Sequence, residues 1–420
     1  MNRRLAAAAV QRRMARRAVE MAAPSQARLR GSWLRCASAS LALALVFFGS
    51  PAPAADAQAV RKLDQSFANE VQGAIDRGLA WLQTNQNSAG WWSEPGQPAL
   101  TALALTAFKG EPTGRYTKTE PPWLKKGYAH LLSSVQPDGG IHQSNLVTYN
   151  TALSMMALLA ANKPEHDATI RKARNFLIGL QRDFGEQGRI DDVQDGGIGY
   201  GSKYEHSDMG NTLAALEALY HSKHLVEDKN LADTRELNLA AAISFLQNCQ
   251  NLPAYNHQPW ASDEPKDKGG FVYYPGMSMA GGETNAATGR VALRSYGSIS
   301  YGGMLSYIYT DLKRDDPRVT AVFDWLRANY SIDENPGMGA QGLYFYIHTM
   351  TKALNAYRIH ELALKDGRKL DWRREVAMKL LNLQQRDGSW SNDNGRWREK
   401  DASLVTAYVV LSLEMIWRGL

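Results

Sequence analysis

The chain has 420 residues, of which 44% are hydrophobic and 21% charged, so it can bury a large core and is neither disordered nor collagen-like in composition. The formal net charge is +6, yet the first 57 residues alone carry nine arginines and only two acidic residues, which leaves a net charge of −1 for the rest. The basic charge therefore belongs to the N-terminal segment, and we expect no nucleic-acid binding.

An apolar stretch near the N-terminus predicts a secretory signal. Residues 37–48 read ASASLALALVFF, arginines precede them, and the small residues GSPAPAADA follow. This pattern predicts cleavage near Ala54, Ala55 or Ala57, with Met21 as an alternative start, and export to the periplasm or the extracellular space. The stretch is shorter than the roughly 20 residues of a spanning helix, and we expect no transmembrane segment in the mature chain.

Removal of the leader would also determine how many cysteines the mature chain contains. Residues 1–57 contain Cys36, so Cys249 is the single thiol of the predicted mature chain. No intramolecular disulfide and no cysteine-rich zinc site can then form, and we expect no metal and no cofactor. Cys249 itself is expected to be a small buried hydrophobic residue on a helix.

Six segments share one pattern, in which an amphipathic helix ends near Gln and a glycine turn follows. Residues 77–92 (RGLAWLQTNQNSAGWW), 126–141 (KGYAHLLSSVQPDGGI) and 377–390 (AMKLLNLQQRDGSW) show it directly. In residues 172–181 and 242–250 the glycine turn comes later, and in residues 322–330 Tyr330 stands where Gln is expected. The Gln is expected to bond to free backbone groups and the Trp to pack over the turn, so Trp92 and Trp390 are predicted to stabilise the fold.

A second helical segment of different character follows each turn. These six segments are small and apolar on almost every side, as in PALTALALTAF and DASLVTAYVVLSLEMI. Such segments suit helices that are buried all round, whereas the preceding helices are amphipathic. The two patterns together predict an all-α fold with an inner and an outer ring of helices. All six turns then lie at one end of the molecule, which is also where the inner helices begin.

The repeat resembles that of squalene and oxidosqualene cyclases, in which a basic residue, a small residue, an aromatic residue, Gln, Gly and Trp recur in this order. Residues 77–92 match it at every position, and related repeats occur in the β subunits of protein prenyltransferases. The resemblance to this terpenoid cyclase and prenyltransferase superfamily covers residues 74–420. It implies one α/α toroid of six helical hairpins around a central cavity. Residues 1–57 are the leader predicted above, and residues 58–73 are expected to be a short linker.

The reaction is less well defined than the fold. Class II cyclases have an Asp-x-Asp-Asp motif at the start of an inner helix, and in this chain only Asp208 matches it, because Gly210 and Asn211 replace the other two acids. Prenyltransferases bind zinc through a Cys on an inner helix, whereas Cys249 is predicted on an outer helix. The chain therefore lacks both the complete acid motif and the zinc site.

The candidate site residues lie at the predicted starts of inner helices and on their aromatic faces. Asp208 and His206 are the candidate catalytic residues, since an acid and a His at the mouth of a cavity suit acid–base chemistry. Asp208 is also in position to cap its helix. The candidate ligand-binding residues are Asn150, Asn211, Tyr296, Tyr301, Tyr346, His348 and Asp401.

Three functions remain open at this point. The first is an enzyme or binding protein for a hydrophobic, isoprenoid-like small molecule or lipid in the cavity. The second is a secreted glycosidase or lyase, for which Asp192, Asp208, Glu283 and Asp401 are candidate carboxylates. The third is a non-catalytic envelope scaffold or binding protein. A cavity with an apolar lining would favour the first function, and an open acidic groove would favour the second.

Overall fold

The computed structural model describes residues 54–420 except residues 144, 203 and 228–233, with side chains from residue 64 onward. Residues 1–53 of the predicted leader lie outside this part, so the cleavage site and export stay predictions. The α-helices are α1 (Ala54–Thr84), α2 (Pro98–Gly110), α3 (Arg115–Lys118), α4 (Pro122–Ser133), α5 (Val147–Ala161), α6 (Asp167–Ile178), α7 (Met209–His221), α8 (Leu239–Cys249), α9 (Gly297–Tyr309), α10 (Pro317–Ala328), α11 (Leu343–Ala356), α12 (Trp372–Leu383) and α13 (Ala402–Trp417).

Extended structure in the described part is limited to short ribbons. Strand β1 (Gly282–Thr284) pairs antiparallel with β2 (Val291–Leu293), and β3 (Leu362–Ala363) pairs antiparallel with β4 (Lys369–Leu370). Short 3₁₀ turns cover Pro164–His166, Lys223–Val226 and Arg396–Arg398. The protein is therefore mostly helical, as predicted.

Residues 58–73 are not a linker, contrary to the prediction. They form part of the long helix α1, which begins at Ala54 and continues to Thr84. Phe67 and Val71 on this helix are buried in the main hydrophobic core. Their spacing of four residues places both on the face that packs inward, and burial of that face stabilises the extra helical turns.

Six apolar helices contact one another in a closed cycle. Helix α2 packs against α5, α5 against α7, α7 against α9, α9 against α11, α11 against α13, and α13 again against α2. We call these six the inner helices, and we call α1, α4, α6, α8, α10 and α12 the outer helices. The residues of each inner helix are buried on most sides, which agrees with the apolar sequence of these segments.

The Gln residues that recur at the turns form hydrogen bonds to backbone carbonyls. The amide of Gln86 donates to the carbonyl of Gly90 in its own turn and to that of Trp123 on the next outer helix. Gln384 donates to Gly388 O at 3.0 Å and, across the ends of the repeat array, to Ala74 O at 3.0 Å. The bonding role expected for Gln is confirmed at these turns, and Gln384 ties the last repeat to the first.

The Trp of each turn forms hydrogen bonds to the preceding outer helix and to a Thr of the following inner helix. The indole N–H of Trp92 donates to Leu82 O at 2.7 Å, and its backbone N–H donates to Thr101 Oγ1. Trp390 repeats this arrangement with Leu380 O at 2.8 Å and Thr406 Oγ1 at 3.1 Å. Both indoles are completely buried, as expected for side chains that pack over the turn, and their effect on stability stays a prediction.

Glycine is required at these turns because the next outer helix lies against them. Gly388 has φ +95°, and a Cβ at this position would lie 2.7 Å from the carbonyl oxygen of Arg77 on α1. Gly90 has φ +105°, and its Cβ would lie 2.5 Å from Lys126 O on α4. The turns therefore pack directly on backbone, which no larger residue allows.

Replacement of Gln384 tests the tie between the last and first repeats. Gln384→Ala leaves the carbonyls of Gly388 and Ala74 without their donor, and we expect the free energy of unfolding to fall by about 1–3 kcal/mol. Urea denaturation measures the change. Gln385→Ala is the matched control, because this neighbour is exposed and its amide bonds only locally, to Ser391 Oγ and Ser389 Oγ of its own turn. Equal stability of the two variants would contradict the proposed tie.

Within the described residues, no helix combines the length and the apolar character needed to cross a membrane.

Candidate functional site

Two inner helices carry their own acidic cap at the turn end. The carboxyl group of Asp208 accepts hydrogen bonds from the backbone N–H of Asn211 at 2.9 Å and from its side-chain amide at 2.7 Å. Asp401 caps α13 by accepting from the N–H of Ser403, and it also accepts the hydroxyl of Ser93. Both acids thus cap their helices, and the capping role expected for Asp208 is confirmed.

Three further inner helices are capped by polar side chains from other segments of the chain. Asn150, a predicted ligand-binding residue, is fully buried, and its side-chain oxygen accepts from the first turn of α2. In the same way, a side-chain oxygen of Asn335 caps α9 and one of Glu399 caps α11. The N–H groups that donate to these capping oxygens belong to Ala99, Ser298 and Phe345, at 3.0, 2.9 and 2.8 Å.

The environment of Asp208 favours the protonated acid. Its side chain is completely buried, and this burial raises the pKa of the carboxyl group above its ordinary value. The hydrogen bonds from Asn211 oppose the increase in pKa, as do the nearby His206 and the hydroxyl of Tyr273. Asp208 is thus a buried acid that stays protonated to a higher pH than an exposed aspartate.

A group of tyrosines surrounds this acid. The hydroxyl of Tyr273 lies 3.0 Å from that of Tyr200, which is only partly buried, so polar groups lead from the surface to Asp208. The ring of His206 lies 4.5 Å from that of Tyr274 and 6.1 Å from that of Tyr200. His206 therefore sits among aromatic rings at the turn end, beside the acid with which it was predicted to act.

A glycine lies beside Asp208 in the first turn of α7. A Cβ built on Gly210 would meet only one atom within 4 Å, the Oδ1 of Asp208 at 3.3 Å. Gly210 itself is partly exposed. The absence of a side chain at this position leaves one oxygen of the buried acid next to accessible space.

A small apolar cluster, separate from the main core, occupies the interior near the same end. Its buried members are on α2 and α13, and Leu153 of α5 and Phe345 of α11 pack against it. Because α5 and α11 are opposite each other in the cycle of inner helices, this cluster lies inside the ring. The buried members are Leu100, Leu103, Leu404, Ala407 and Tyr408.

One face of α5 shows that the interior is accessible. Tyr149, Leu153, Met156 and Ala160 are partly exposed, whereas the residues between them in the first three turns are buried. This spacing of three to four residues defines one helical face. Helices α2, α7 and α6 cover the other sides of α5, so the exposed face borders the interior. The accessible lining of this helix is apolar apart from one tyrosine hydroxyl.

One polar contact in the interior joins two inner helices that are not neighbours in the cycle. The hydroxyl of Tyr149 on α5 lies 2.7 Å from that of Tyr408 on α13. His348 stacks on the ring of Tyr408 at 5.0 Å and contacts Ser412 Oγ at 3.2 Å. Burial lowers the pKa of His348 well below its ordinary value, so this imidazole is neutral. Among the predicted ligand-binding residues, His348 stacks on a member of the interior cluster.

A second polar contact joins α7 and α11, between which α9 lies in the cycle. The ammonium group of Lys352 forms an ion pair with the carboxylate of Glu217. The two side chains are only 19% and 10% exposed. Sequence reasoning missed this pair, although each residue is an isolated charge in the middle of an apolar helix, which is the signal that could have found it.

The remaining predicted tyrosines occupy the main core. Tyr296, Tyr301 and Tyr346 are at most 2% exposed. The hydroxyl of Tyr346 donates to Ser331 O in a turn segment, and the rings of Tyr301 and Tyr346 pack 5.8 Å apart. The structure gives these three residues a packing role, and their ligand-binding role stays a prediction.

The four carboxylates considered for a glycosidase have separate partners. Asp192 is exposed and accepts the N–H of Gln194, and Glu283 on β1 pairs with Lys266 and Arg294. Asp208 and Asp401 act as helix caps, as described above. The structure shows no acidic groove formed by these four described residues.

Comparisons with known proteins identify the architecture. A variant of the type II terpene cyclase MstE from Scytonema, in complex with merosterolic acid A as product, aligns with a TM-score of 0.50 and 13% identity, over 85% of this chain and 99% of that chain. The GH76 α-mannanase from Bacteroides thetaiotaomicron aligns with a TM-score of 0.50 and 11% identity, over 83% of this chain and 96% of that chain. This chain has the α/α toroid fold.

The predicted relationship in fold to terpenoid cyclases is thereby confirmed. At these identities the likeness concerns the fold alone, because enzymes of unrelated chemistry share this toroid. No protein-family model matches the sequence, and no curated protein matches it. Function must therefore be argued from the interior of this particular toroid.

Proposed function

We propose that this protein binds a slender, hydrophobic small molecule of isoprenoid type in the interior of the toroid. The observation that carries the proposal is the accessible apolar face of α5, with Leu153 and Met156 partly exposed in the middle of an inner helix. Apolar surface that remains accessible inside a ring of helices is stabilised when an apolar ligand covers it. The six contacts in cyclic order support an arrangement of six hairpins in two rings around this space.

The polar end of the ligand is proposed to lie beside Asp208. This acid is buried, its Oδ1 lies next to the position that a side chain at Gly210 would occupy, and its raised pKa favours the protonated form that can donate to a ligand hydroxyl. The apolar cluster begins at the same end, with Leu100, Phe345 and Leu404 each near the start of its helix. A ligand with a polar head and an apolar tail fits this order of groups. The export of the protein, inferred from residues 37–48, is part of the same proposal.

A charge placed on the interior face tests the binding site. Leu153→Arg puts a guanidinium group among the apolar lining, and we expect the affinity for farnesol to fall by at least about tenfold, because the ligand no longer meets apolar surface there. Displacement of a fluorescent apolar probe measures the affinity. Met378→Arg is the matched control, because Met378 is 42% exposed on the outer helix α12.

The control variant is expected to bind farnesol as the wild type does, and circular dichroism should show both variants folded at the assay temperature. Undiminished binding by Leu153→Arg, or an equal loss in Met378→Arg, would overturn the proposed location of the ligand.

Replacement of Asp208 by asparagine tests the role of its carboxyl group. Asp208→Asn keeps an oxygen that caps α7 but loses the hydrogen bond from the side-chain amide of Asn211, so we expect the free energy of unfolding to fall by no more than about 1.5 kcal/mol. With the amide oxygen held as the cap, no donor faces the ligand, and farnesol should bind about tenfold more weakly, since one such hydrogen bond is worth about 1.5 kcal/mol. The binding of a hydrocarbon of the same length without the hydroxyl should not change. Equal effects on the alcohol and the hydrocarbon would show that Asp208 is only a structural cap.

A further inference from the structure

An ion pair between two inner helices holds a lysine amine in a mostly buried place. Lys352 is the one lysine or arginine of α11, and Glu217 is the one carboxylate of α7. Their side chains pair although α9 lies between these two helices in the cycle. The side chain of Lys352 is 19% exposed, whereas Thr351 and Ala353 on either side of it are buried. Glu217 therefore fixes the position of an amine whose side chain is still partly accessible.

Lys352 lies on the face of α11 that borders the interior. It is seven residues after Phe345, which corresponds to two helical turns along the same face. Phe345 packs against the interior apolar cluster, and His348, which lies between the two, stacks on Tyr408 of that cluster. A ligand that covers the apolar cluster is therefore next to the helical face that carries this amine.

The groups around the ion pair are uncharged. Burial raises the pKa of Tyr149 to about 12, and the carboxylate of Glu217 adds to this effect, so Glu217 is close to α5 as well as to α11. The hydroxyl of Tyr149 lies 2.7 Å from that of Tyr408 in the interior cluster. Burial and, after it, the positive charge of Lys352 lower the pKa of His348, which is therefore neutral. The ion pair is thus the charged part of a lining that these side chains form.

We infer that Lys352 is a covalent binding site, at which an isoprenoid aldehyde forms an imine with the lysine amine and Glu217 is the counter-ion. The inference rests on the proposed function and adds a second class of ligand to the same interior. A mostly buried lysine amine is the group with which proteins form imines with carbonyl compounds. Glu217 is nine residues after Asp208, about 13 Å along α7, so the aldehyde group lies away from Asp208 and the apolar chain covers the cluster.

The reaction needs no group beyond the two side chains and the aldehyde. Glu217 accepts a proton from the ammonium group of Lys352, the electron pair of Nζ forms a bond to the carbonyl carbon, and the π electrons of the carbonyl move to its oxygen. This oxygen takes the proton from Glu217, which gives a carbinolamine. Glu217 then moves a proton from the nitrogen to the hydroxyl group, water leaves, and the electron pair of the nitrogen forms the C=N bond. One aldehyde and one ammonium group thus give one protonated imine and one water molecule.

The ion pair stabilises this product in its mostly buried place. The protonated imine keeps the positive charge on nitrogen, so Glu217 retains its partner and no uncompensated charge is left. The apolar lining limits the access of water, which would otherwise hydrolyse the imine. An arginine at this position would keep the pair with Glu217 but not the reaction, because a guanidinium group stays protonated.

Reductive trapping tests this site. The full-length protein is incubated with farnesal, the aldehyde of farnesol, and with sodium cyanoborohydride, which reduces an imine to a stable secondary amine. We expect intact-mass spectrometry to show one farnesyl group per chain, and excess farnesol to suppress it. Peptide mapping should place at least about tenfold more label on Lys352 than on any exposed lysine, because binding holds the aldehyde beside this amine.

Two lysine variants complete the test. Lys352→Arg should lose the interior label at least about tenfold, with circular dichroism showing that it is folded. Lys125→Arg is the matched control, since Lys125 is exposed on the outer helix α4, and it should keep the wild-type label. If Lys352→Arg does not fold, the peptide map of the wild-type protein decides the question.

The outcomes separate this inference from the proposed function. Label spread evenly over exposed lysines, or undiminished label in folded Lys352→Arg, would overturn the covalent site. Farnesol binding without any label on Lys352 would overturn the covalent site and leave the proposed function standing. The absence of both farnesol binding and label would overturn the proposed function itself.

Discussion

Trp390→Ala should lower the free energy of unfolding by about 3–5 kcal/mol, the range for deletion of a buried aromatic side chain. Trp390 is completely buried, and its indole N–H satisfies the carbonyl of Leu380. Its ring also lies against Gly78 of α1, where a Cβ would approach the ring to 3.0 Å. The variant therefore loses a turn contact and part of the packing between the last and the first repeat.

Thermal and urea denaturation both report this loss. Trp397→Ala is the matched control, since Trp397 is in the same turn segment but is 38% exposed. We expect the control to stay within about 1 kcal/mol of the wild type. A melting temperature of Trp390→Ala equal to that of the wild type would show that the indole does not hold the ring closed.

Glu414→Gln should make the protein less sensitive to alkaline pH. Glu414 lies on α13, it is 1% exposed, and its Oε1 has no hydrogen-bond partner in the described part. Burial raises the pKa of this carboxyl group well above 4.5, the nearby Glu111 adds to the increase, and Arg418 opposes it. The folded protein thus holds a proton that the unfolded chain releases.

The sign of the effect follows from this difference in proton binding. As pH rises from about 4.5 towards the folded-state pKa, the unfolded chain gains stability by ionising, so the free energy of unfolding of the wild type falls. Glutamine does not ionise. The stability of Glu414→Gln relative to wild type should therefore increase by about 1.4 kcal/mol for each pH unit within this range.

Urea denaturation at about pH 4, 6 and 8 gives the required comparison. Other buried acids, such as Asp208 and Glu399, are present in both proteins, so the difference between the two curves isolates Glu414. Glu186→Gln, the same change at an exposed residue, is the control variant. Parallel curves for Glu414→Gln and wild type would show that Glu414 is ionised in the folded state.

The repeated parts of the fold could be predicted from the sequence because each signal occurs several times. The segment PALTALALTAF predicts the helix that the structure gives as Pro98–Gly110, and the last apolar segment predicts Ala402–Trp417. Gln384 and Trp390 have the turn roles expected of them. A pattern of this kind is local, so it can be read from neighbouring residues alone.

Contacts between distant residues could not be predicted in this way. Glu399 caps a helix whose bonded residue, Phe345, is 54 positions earlier, and Lys352 pairs with Glu217 across 135 positions. Tyr273 belongs to a segment without helical pattern, and its place beside Asp208 depends on how that long loop folds back. These contacts complete the candidate site, which is why sequence reasoning found Asp208 with its neighbours His206 and Asn211 but not the distant Tyr273.

Photoaffinity labelling tests most directly whether the interior holds the ligand. The full-length protein is irradiated with a farnesol analogue that carries a diazirine on its tail, and labelled peptides are mapped by mass spectrometry. The account predicts labels on the interior residues Leu103, Leu153 and Phe345, and it predicts that excess farnesol suppresses them. Labels confined to the outer helices, or labels that farnesol does not reduce, would contradict it.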